Sequence, residues 1–177
     1  MMNMNLNGTF QLDASHSSVA FVARHAMVTK VRGTFNEVEA TIVLDGENSK
    51  VQGTAQAASI DTGNSDRDEH VRGDDFFAVE QHPTISFEST SVELNGEKGK
   101  VHGNLEIKGN SKPVTFDVEV NGIAEDPFGN TRLGFEASTK INRKDFGIDF
   151  NAPLNTGGML VSEEIKIEID GSAIKQD

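Results

Sequence analysis

Residues 61–77 gather many of the chain's chemically capable side chains into one run. It reads Asp61-Thr62-Gly63-Asn64-Ser65-Asp66-Arg67-Asp68-Glu69-His70-Val71-Arg72-Gly73-Asp74-Asp75 and closes on Phe76-Phe77. His70, with Asp66, Asp68 and Glu69 nearby, carries atoms suited to a cation. Short acidic runs are usually solvated faces or helix caps, however, and the five histidines show no two-His ligand spacing, so no metal site is expected. Arg67 and Asp68 form an expected ion pair that pins the run, because a charge beside an apolar space needs a partner. Their other role is to hold a ligand head group, bidentate if it is a phosphate. Nucleophilic catalysis finds no support: no Gly-x-Ser-x-Gly elbow is present, Gly157-Gly158 lacks the context of a phosphate cradle, and no catalytic residue is assigned.

The elements that must position this run are strands. Apolar and polar residues alternate along Thr9–Leu12, Ser18–Arg24, Lys30–Phe35 and Val38–Leu44, the last stopped by the turn dipeptide Asp45-Gly46. Val51–Ile60 is a strand of small residues, with Gly53, Ala55, Ala57 and Ser59 on one side. Asn64 or Ser65 caps a short helix within residues 64–80; Ser65 and Asp68 resemble a capping box, and Asp68 and Arg72, one turn apart, can pair. Alternation resumes over Thr84–Leu94, turns at Asn95-Gly96, and continues with Val101, Gly103, Leu105 and Ile107 to a turn at Lys108-Gly109-Asn110. Val114, Phe116, Val118 and Val120 form the cleanest stripe, closed by Asn121-Gly122, and Leu133, Phe135, Ala137, Thr139 and Ile141 form the next. A long connection from Asn142 to Met159 precedes a last strand carrying Ile165, Ile167 and Ile169.

Many short antiparallel strands with one apolar face close most economically into a barrel, which removes exposed edges; about eight strands leave room for one ligand. The expected fold is therefore all-β, one closed antiparallel barrel over residues 1–177 with one short helical insert. The chain has 177 residues, a net charge of −12 and no cysteine. Its pI is near 4.8 and its mean hydropathy −0.41. That charge excludes a nucleic-acid stripe and gives no attraction to an anionic membrane; no apolar run is long enough to span one. Met1–Asn7 shows no signal-peptide pattern, so the chain as written is expected in the cytoplasm.

Tyr and Trp are absent, and 11 Phe carry the aromatic load without polar tips, which suits a dry interior or an apolar ligand. Phe21, Phe35, Phe87, Phe116 and Phe135 either pack a filled core or, with the small side chains of Gly53, Ala55, Ala57, Gly103 and Ala137 between them, border an open groove. Ile42, Leu105, Val118 and Phe146 complete the candidate wall, and Phe76 and Phe77 seal one end. His25, with Arg24, stands as a mouth residue alongside Arg67, Asp68 and His70; structural hydrogen bonding is the plainer role for His16 and His25.

Several segments taken together resemble the YceI-like family. They are Leu12-Asp13-Ala14-Ser15-His16-Ser17 with Phe21 and Arg24-His25, Gly33-Thr34-Phe35, Asp61-Thr62-Gly63-Asn64 through Arg67-Asp68 and His70 to Asp75-Phe76, His82-Pro83, Ile85 and Phe87, Gly103, Leu105, Ile107, Gly109 and Lys112-Pro113-Val114, and Lys144-Asp145-Phe146-Gly147-Ile148. The match runs from about Gly8 to Gly171 and departs at Val71, Gly73 and Asn110-Ser111. The resemblance implies a lipocalin-like barrel with an apolar tunnel for an isoprenoid lipid, a quinone or a prenyl phosphate, needing no other cofactor; family members are often periplasmic. Rival expectations are a lipid hydrolase or isomerase using His25 or His70 as base, and a ligand-free stress-related interaction protein. Exposed strands also leave a homodimer open.

Overall fold

A computed structural model describes residues 7–26, 28–151 and 161–176. Eleven strands and one α-helix follow in order: β1 Gly8–Leu12, β2 Ser18–His25, β3 Thr29–Phe35, β4 Val38–Leu44, β5 Lys50–Gln56, β6 Ile60–Asp61, α1 Ser65–Arg72, β7 Thr84–Asn95, β8 Lys98–Ile107, β9 Asn110–Glu125, β10 Thr131–Asn142 and β11 Glu164–Lys175. Every pairing is antiparallel. Eight strands close a ring in the order β1, β4, β5, β7, β8, β9, β10, β11 and back to β1. The expected all-β barrel with one short helix is therefore the fold.

Closure depends on the length of β11. Its later half pairs with β1 (Leu12 opposite Ala173), and its earlier half pairs with β2 (Phe21 opposite Ile167). Between β1 and β2 a 3-10 turn, Ala14–His16, redirects the chain. Beyond it, β2, β3 and β6 extend the wall at the end where α1 lies. Successive strands from β7 to β10 are joined by tight turns, as at Gly96 (φ 67°) and at Lys108 and Gly109 (φ 53° and 76°).

Several local expectations change. Asp45-Gly46 opens a 3-10 turn (Gly46–Asn48) in place of a two-residue hairpin, because the Ser49 hydroxyl bonds both the Asp45 N–H and the Gly46 carbonyl. The stretch 51–60 divides at a 3-10 turn, Ala57–Ser59, into β5 and β6. Asn121-Gly122 does not end β9; the strand runs on to Glu125 through a register shift opposite Gly134 and Phe135. The short helix expected near residues 64–80 is α1, at residues 65–72. In the connection expected from Asn142 to Met159, a 3-10 turn (Arg143–Phe146) ends at left-handed Gly147, and residues 152–160, including Gly157-Gly158, lie outside the described residues.

One end of the barrel is packed shut. Phe10, Ile42, Leu44, Val120, Leu133 and Ala173 form a buried cluster there. A clasp sits over it: Arg132 donates to Asp13 at 2.8 Å and to Asp126 at 2.7 Å, joining the β1–β2 turn to the β9–β10 hairpin. Hydrogen bonds from Ser15 and Arg132 hold the Asp13 carboxyl well below its ordinary range, and Arg132 with the Asn130 and Phe128 amides holds Asp126 near about 2. Carboxylates with depressed folded-state pKa values stabilise the fold above the unfolded value of about 4 and lose that contribution as pH falls toward about 2. Urea midpoints measured from pH 5 to pH 2 are expected to fall, and Arg132→Met is expected to lower the midpoint at pH 5 and flatten the slope between pH 4 and pH 2. An unchanged slope in the variant would remove the clasp from the account.

Candidate functional site

The barrel is hollow. A cavity of about 600 Å³ runs along its axis, lined almost wholly by apolar side chains. Leu12, Ile42, Leu44, Val51, Val120 and Leu133 border it at the packed end, and Phe76, Phe77, Ile107, Phe146, Ile148 and Phe150 at the α1 end. All eleven residues assigned from the sequence to an apolar wall lie along it: Phe21, Phe35, Ile42, Phe76, Phe77, Phe87, Leu105, Phe116, Val118, Phe135 and Phe146.

How nine phenylalanines line a lumen and leave it open is a matter of register. Phe21 pairs across the sheet with Gly33, and Phe135 pairs with Gly171. Phe87 lies diagonal to Gly103, since Leu105 opposes Phe87 and Gly103 opposes Ser89. A Cβ built on Gly33 would stand 2.6 Å from the Phe21 ring and one on Gly103 2.5 Å from the Phe87 ring; at Gly171 it would stand nearer still to Phe135. Each ring therefore lies down over a neighbouring strand, in space only glycine vacates, instead of standing in the lumen. Gly53 and Ala40, cross-strand partners on β5 and β4, carry no ring and leave the wall low.

At the α1 end the rings form two groups. Phe21, Phe35 and Phe77 meet with centroids 5.8–6.3 Å apart. His70, Phe76 and Phe150 meet at 5.0–5.3 Å, with the His70 Nε2 3.0 Å from Asp75. Thus Phe76 and Phe77 serve different groups, one at the rim and one on the wall.

The polar run holds α1 against this end. Asn64 is the N-cap, accepting from the Arg67 amide; Ser65 does not cap, and the Ser65–Asp68 capping box is absent because Asp68 turns to Thr62. The Thr62 amide and hydroxyl donate to Asp68 at 2.7 and 2.5 Å, and Arg67 donates to the Thr62 hydroxyl at 2.9 Å and its carbonyl at 2.7 Å. The expected Arg67–Asp68 ion pair is thus replaced by a shared grip on Thr62. Arg72 donates to the Ala58 carbonyl and not to Asp68, acting on that carboxylate only through its charge. The Thr62 hydrogen bonds depress the Asp68 pKa against the opposing effect of burial. Asp68 is buried outside the cavity lining and so serves the scaffold and not the mouth. Asp68→Ala would leave the Thr62 donors without their acceptor, and an unfolding titration is expected to show a loss of about 2–3 kcal/mol; a change under about 0.5 kcal/mol would mean α1 is held by other contacts.

Among the assigned mouth residues, His25, Arg67 and His70 do line the cavity, together with Arg24, Asp66 and Thr62. The acidic cluster around His70 does not converge: Asp68 is engaged by Thr62, and His70 faces Asp75. Glu93 and Lys100 also border the cavity, but their side chains pair on the outer face with His102 and Asp117.

Arg143 escaped the sequence reading. It is 3% exposed and lines the cavity, donating to the carbonyls of Ile148 (2.6 Å), Ser162 (2.8 Å) and Val161 (3.3 Å). Burial pushes its pKa down, and the charges of Glu163 and Asp149 oppose that. The signal was available: the inward parity of Leu133, Phe135, Ala137, Thr139 and Ile141 lands next on residue 143.

A closed antiparallel barrel with a long apolar lumen, walled by rings on glycines and rimmed by charge at one end, defines a small-molecule-binding barrel architecture. The chain belongs to the YceI-like domain family, whose pattern matches residues 10–173. It is 38% identical over 165 residues to a UPF0312 protein of Staphylococcus epidermidis, covering 90% of this chain and 93% of that one. Among solved structures it resembles BcnA of Burkholderia cenocepacia at a TM-score of 0.79 and 25% identity, covering 91% and 98% of the two chains. It also shares its fold with a polyisoprenoid-binding domain from Saccharophagus degradans, at a TM-score of 0.71 and 14% identity, covering 94% and 98%.

Proposed function

We propose that this protein binds and carries a long-chain isoprenoid lipid, with the chain along the lumen and the head group at the α1 end. The observation that carries the reading is the continuous apolar cavity of about 600 Å³. At about 30 Å³ for each water-sized group, that space takes on the order of twenty such groups, the carbon content of about four isoprene units. Each buried unit contributes about 2–3 kcal/mol before ordering costs, so chain burial alone supports tight binding. The polyisoprenoid-binding character of the Saccharophagus domain supports the same ligand class. A quinone and a prenyl phosphate both present oxygen acceptors, which suit the Arg67 and Arg143 guanidinium groups. Binding is favoured over catalysis because His70, one of the two candidate bases, is fixed between two rings and Asp75.

Native mass spectrometry of freshly purified protein tests this. The expected result is a mass excess that organic extraction removes and whose fragments show isoprene spacing. A bare protein mass that stays bare after incubation with a prenyl alcohol would overturn it.

A further inference from the structure

The mouth carries a charge pattern opposed to that of the whole molecule. Residues 14–36 contain Arg24, Lys30 and Arg32 and no Asp or Glu, a local charge of +3 in a chain of −12. These cations belong to the β2–β3 hairpin, which projects past the α1 end of the barrel: His25 bridges to Val161, beyond the first residue of β11. Arg24 pairs in register with Lys30, and Val22 with Arg32, so alternation places all three on one face of the hairpin. At its tip Val28 is 75% exposed. The opposite face, through Ala23, His25 and Val31, continues the cavity wall, and Arg24, at the rim, also borders the cavity and donates to the Val28 carbonyl at 3.4 Å.

The nearest acids offset this patch only at Arg32, which pairs with Glu168 at 2.7 Å, a carboxylate shared with Lys166. Glu163 and Glu164 are held by Lys144 and Lys140, which leaves Arg24 and Lys30 uncancelled. Lys30 has no ion pair among the described residues. Asp66, Glu69, Asp74 and Asp75 are exposed on the α1 side of the mouth. The rim is therefore polarised, basic on the hairpin and acidic on the helix. The other exposed large apolar side chain among the described residues, Phe128 at 87% exposure, sits at the far end beside Glu125 and Asp126, a setting an anionic surface would repel.

We infer that the β2–β3 hairpin docks the protein on an anionic lipid bilayer, with Val28 entering the head-group layer and Arg24 and Lys30 meeting phosphates, so that a lipid chain passes between bilayer and cavity along the hairpin's inner face. The inference rests on the carrier reading. Screening within about 10 Å at 0.1 M salt is what lets a local basic patch act against a distant negative total. The acidic helix side tilts the molecule so that the hairpin arrives first.

The test is flotation of the full chain with vesicles of equal parts phosphatidylglycerol and phosphatidylcholine, against vesicles of phosphatidylcholine alone. Binding is expected to the anionic vesicles and to be lost in 0.5 M sodium chloride. Lys30→Glu reverses one charge and is expected to weaken binding about 25-fold, at about fivefold for each unit of charge near the surface. Val28→Asp is expected to weaken it comparably. Lys98→Glu makes the same change of total charge at the far end and is expected to move binding less than twofold. Equal binding to both vesicle types, no binding, or equal loss in Lys30→Glu and Lys98→Glu would overturn the inference. Native mass spectrometry of the same samples separates the two claims: loaded protein that ignores vesicles defeats docking, whereas protein that docks but never acquires a lipid mass defeats the carrier reading.

Discussion

Gly171→Ala is expected to weaken lipid binding by this protein through only one added methyl group. The three atoms nearest to a new Cβ at Gly171 all belong to the Phe135 ring, so the first relief must come from that ring. Phe135 lies on the cavity wall, and the space open to it is the lumen. Overpacking of this kind costs about 1–3 kcal/mol of stability. Raising the Phe135 ring also removes space that about one isoprene unit would fill, so prenyl-lipid binding is expected to weaken by tenfold or more. The pair is coupled: Phe135→Leu, combined with Gly171→Ala, is expected to restore both stability and occupancy beyond what adding the single changes gives. Urea unfolding and extracted lipid per mole of protein measure the two effects. A Gly171→Ala protein with unchanged lipid content and stability would show that the ring does not need the glycine.

Gly53→Phe should give the opposite pairing of effects. A Cβ there meets only Ala40 Cβ and the Glu39 carbonyl, each at 3.5 Å, and Gly53 lines the cavity, so a side chain there extends into the lumen beside its cross-strand partner Phe87. Glycine inside a strand costs about 0.5–1 kcal/mol relative to alanine, and a ring buried in the lumen adds apolar contact. The variant is expected to be at least as stable as the parent. Its ligand affinity should fall about 30- to 140-fold for each isoprene unit the ring displaces, at about 2–3 kcal/mol per unit. A gain of stability with a loss of binding is the signature of a vacancy kept for a ligand. Loss of both would mean the site was already packed, and loss of neither would place the ligand elsewhere. Equilibrium binding of a prenyl alcohol and thermal unfolding, run on the same preparation, distinguish these outcomes.

The strands and the barrel were legible because inward residues alternate: Val114, Phe116, Val118 and Val120 could serve no helix, and the cavity-facing side of β10 follows the same parity. What parity does not carry is register. That Phe135 would oppose Gly171, 36 positions later, depends on how β10 and β11 align around the whole ring, so the device that holds the lumen open stayed invisible while its parts were in view. The polar run was misread for a related reason. Arg67 and Asp68 are neighbours of opposite charge, but successive residues on a helix point about 100° apart, and both side chains reach back to Thr62, to which the sequence pattern assigns no role. Asn64 prevailed over Ser65 as the cap because the chain turns one residue earlier. Arg143 was hidden by its charge, since a buried guanidinium is not expected on a greasy stripe; three backbone carbonyls make it tolerable there.

A crystal structure of the protein as purified, without added lipid or detergent, tests the hollow barrel most directly. The account predicts a continuous unbranched tube of electron density along the axis, from the His70, Phe76 and Phe150 rim to Leu44 and Leu133, with Phe21, Phe87 and Phe135 lying over Gly33, Gly103 and Gly171. Phenyl rings standing across the axis, or a file of ordered waters in place of the tube, would contradict it.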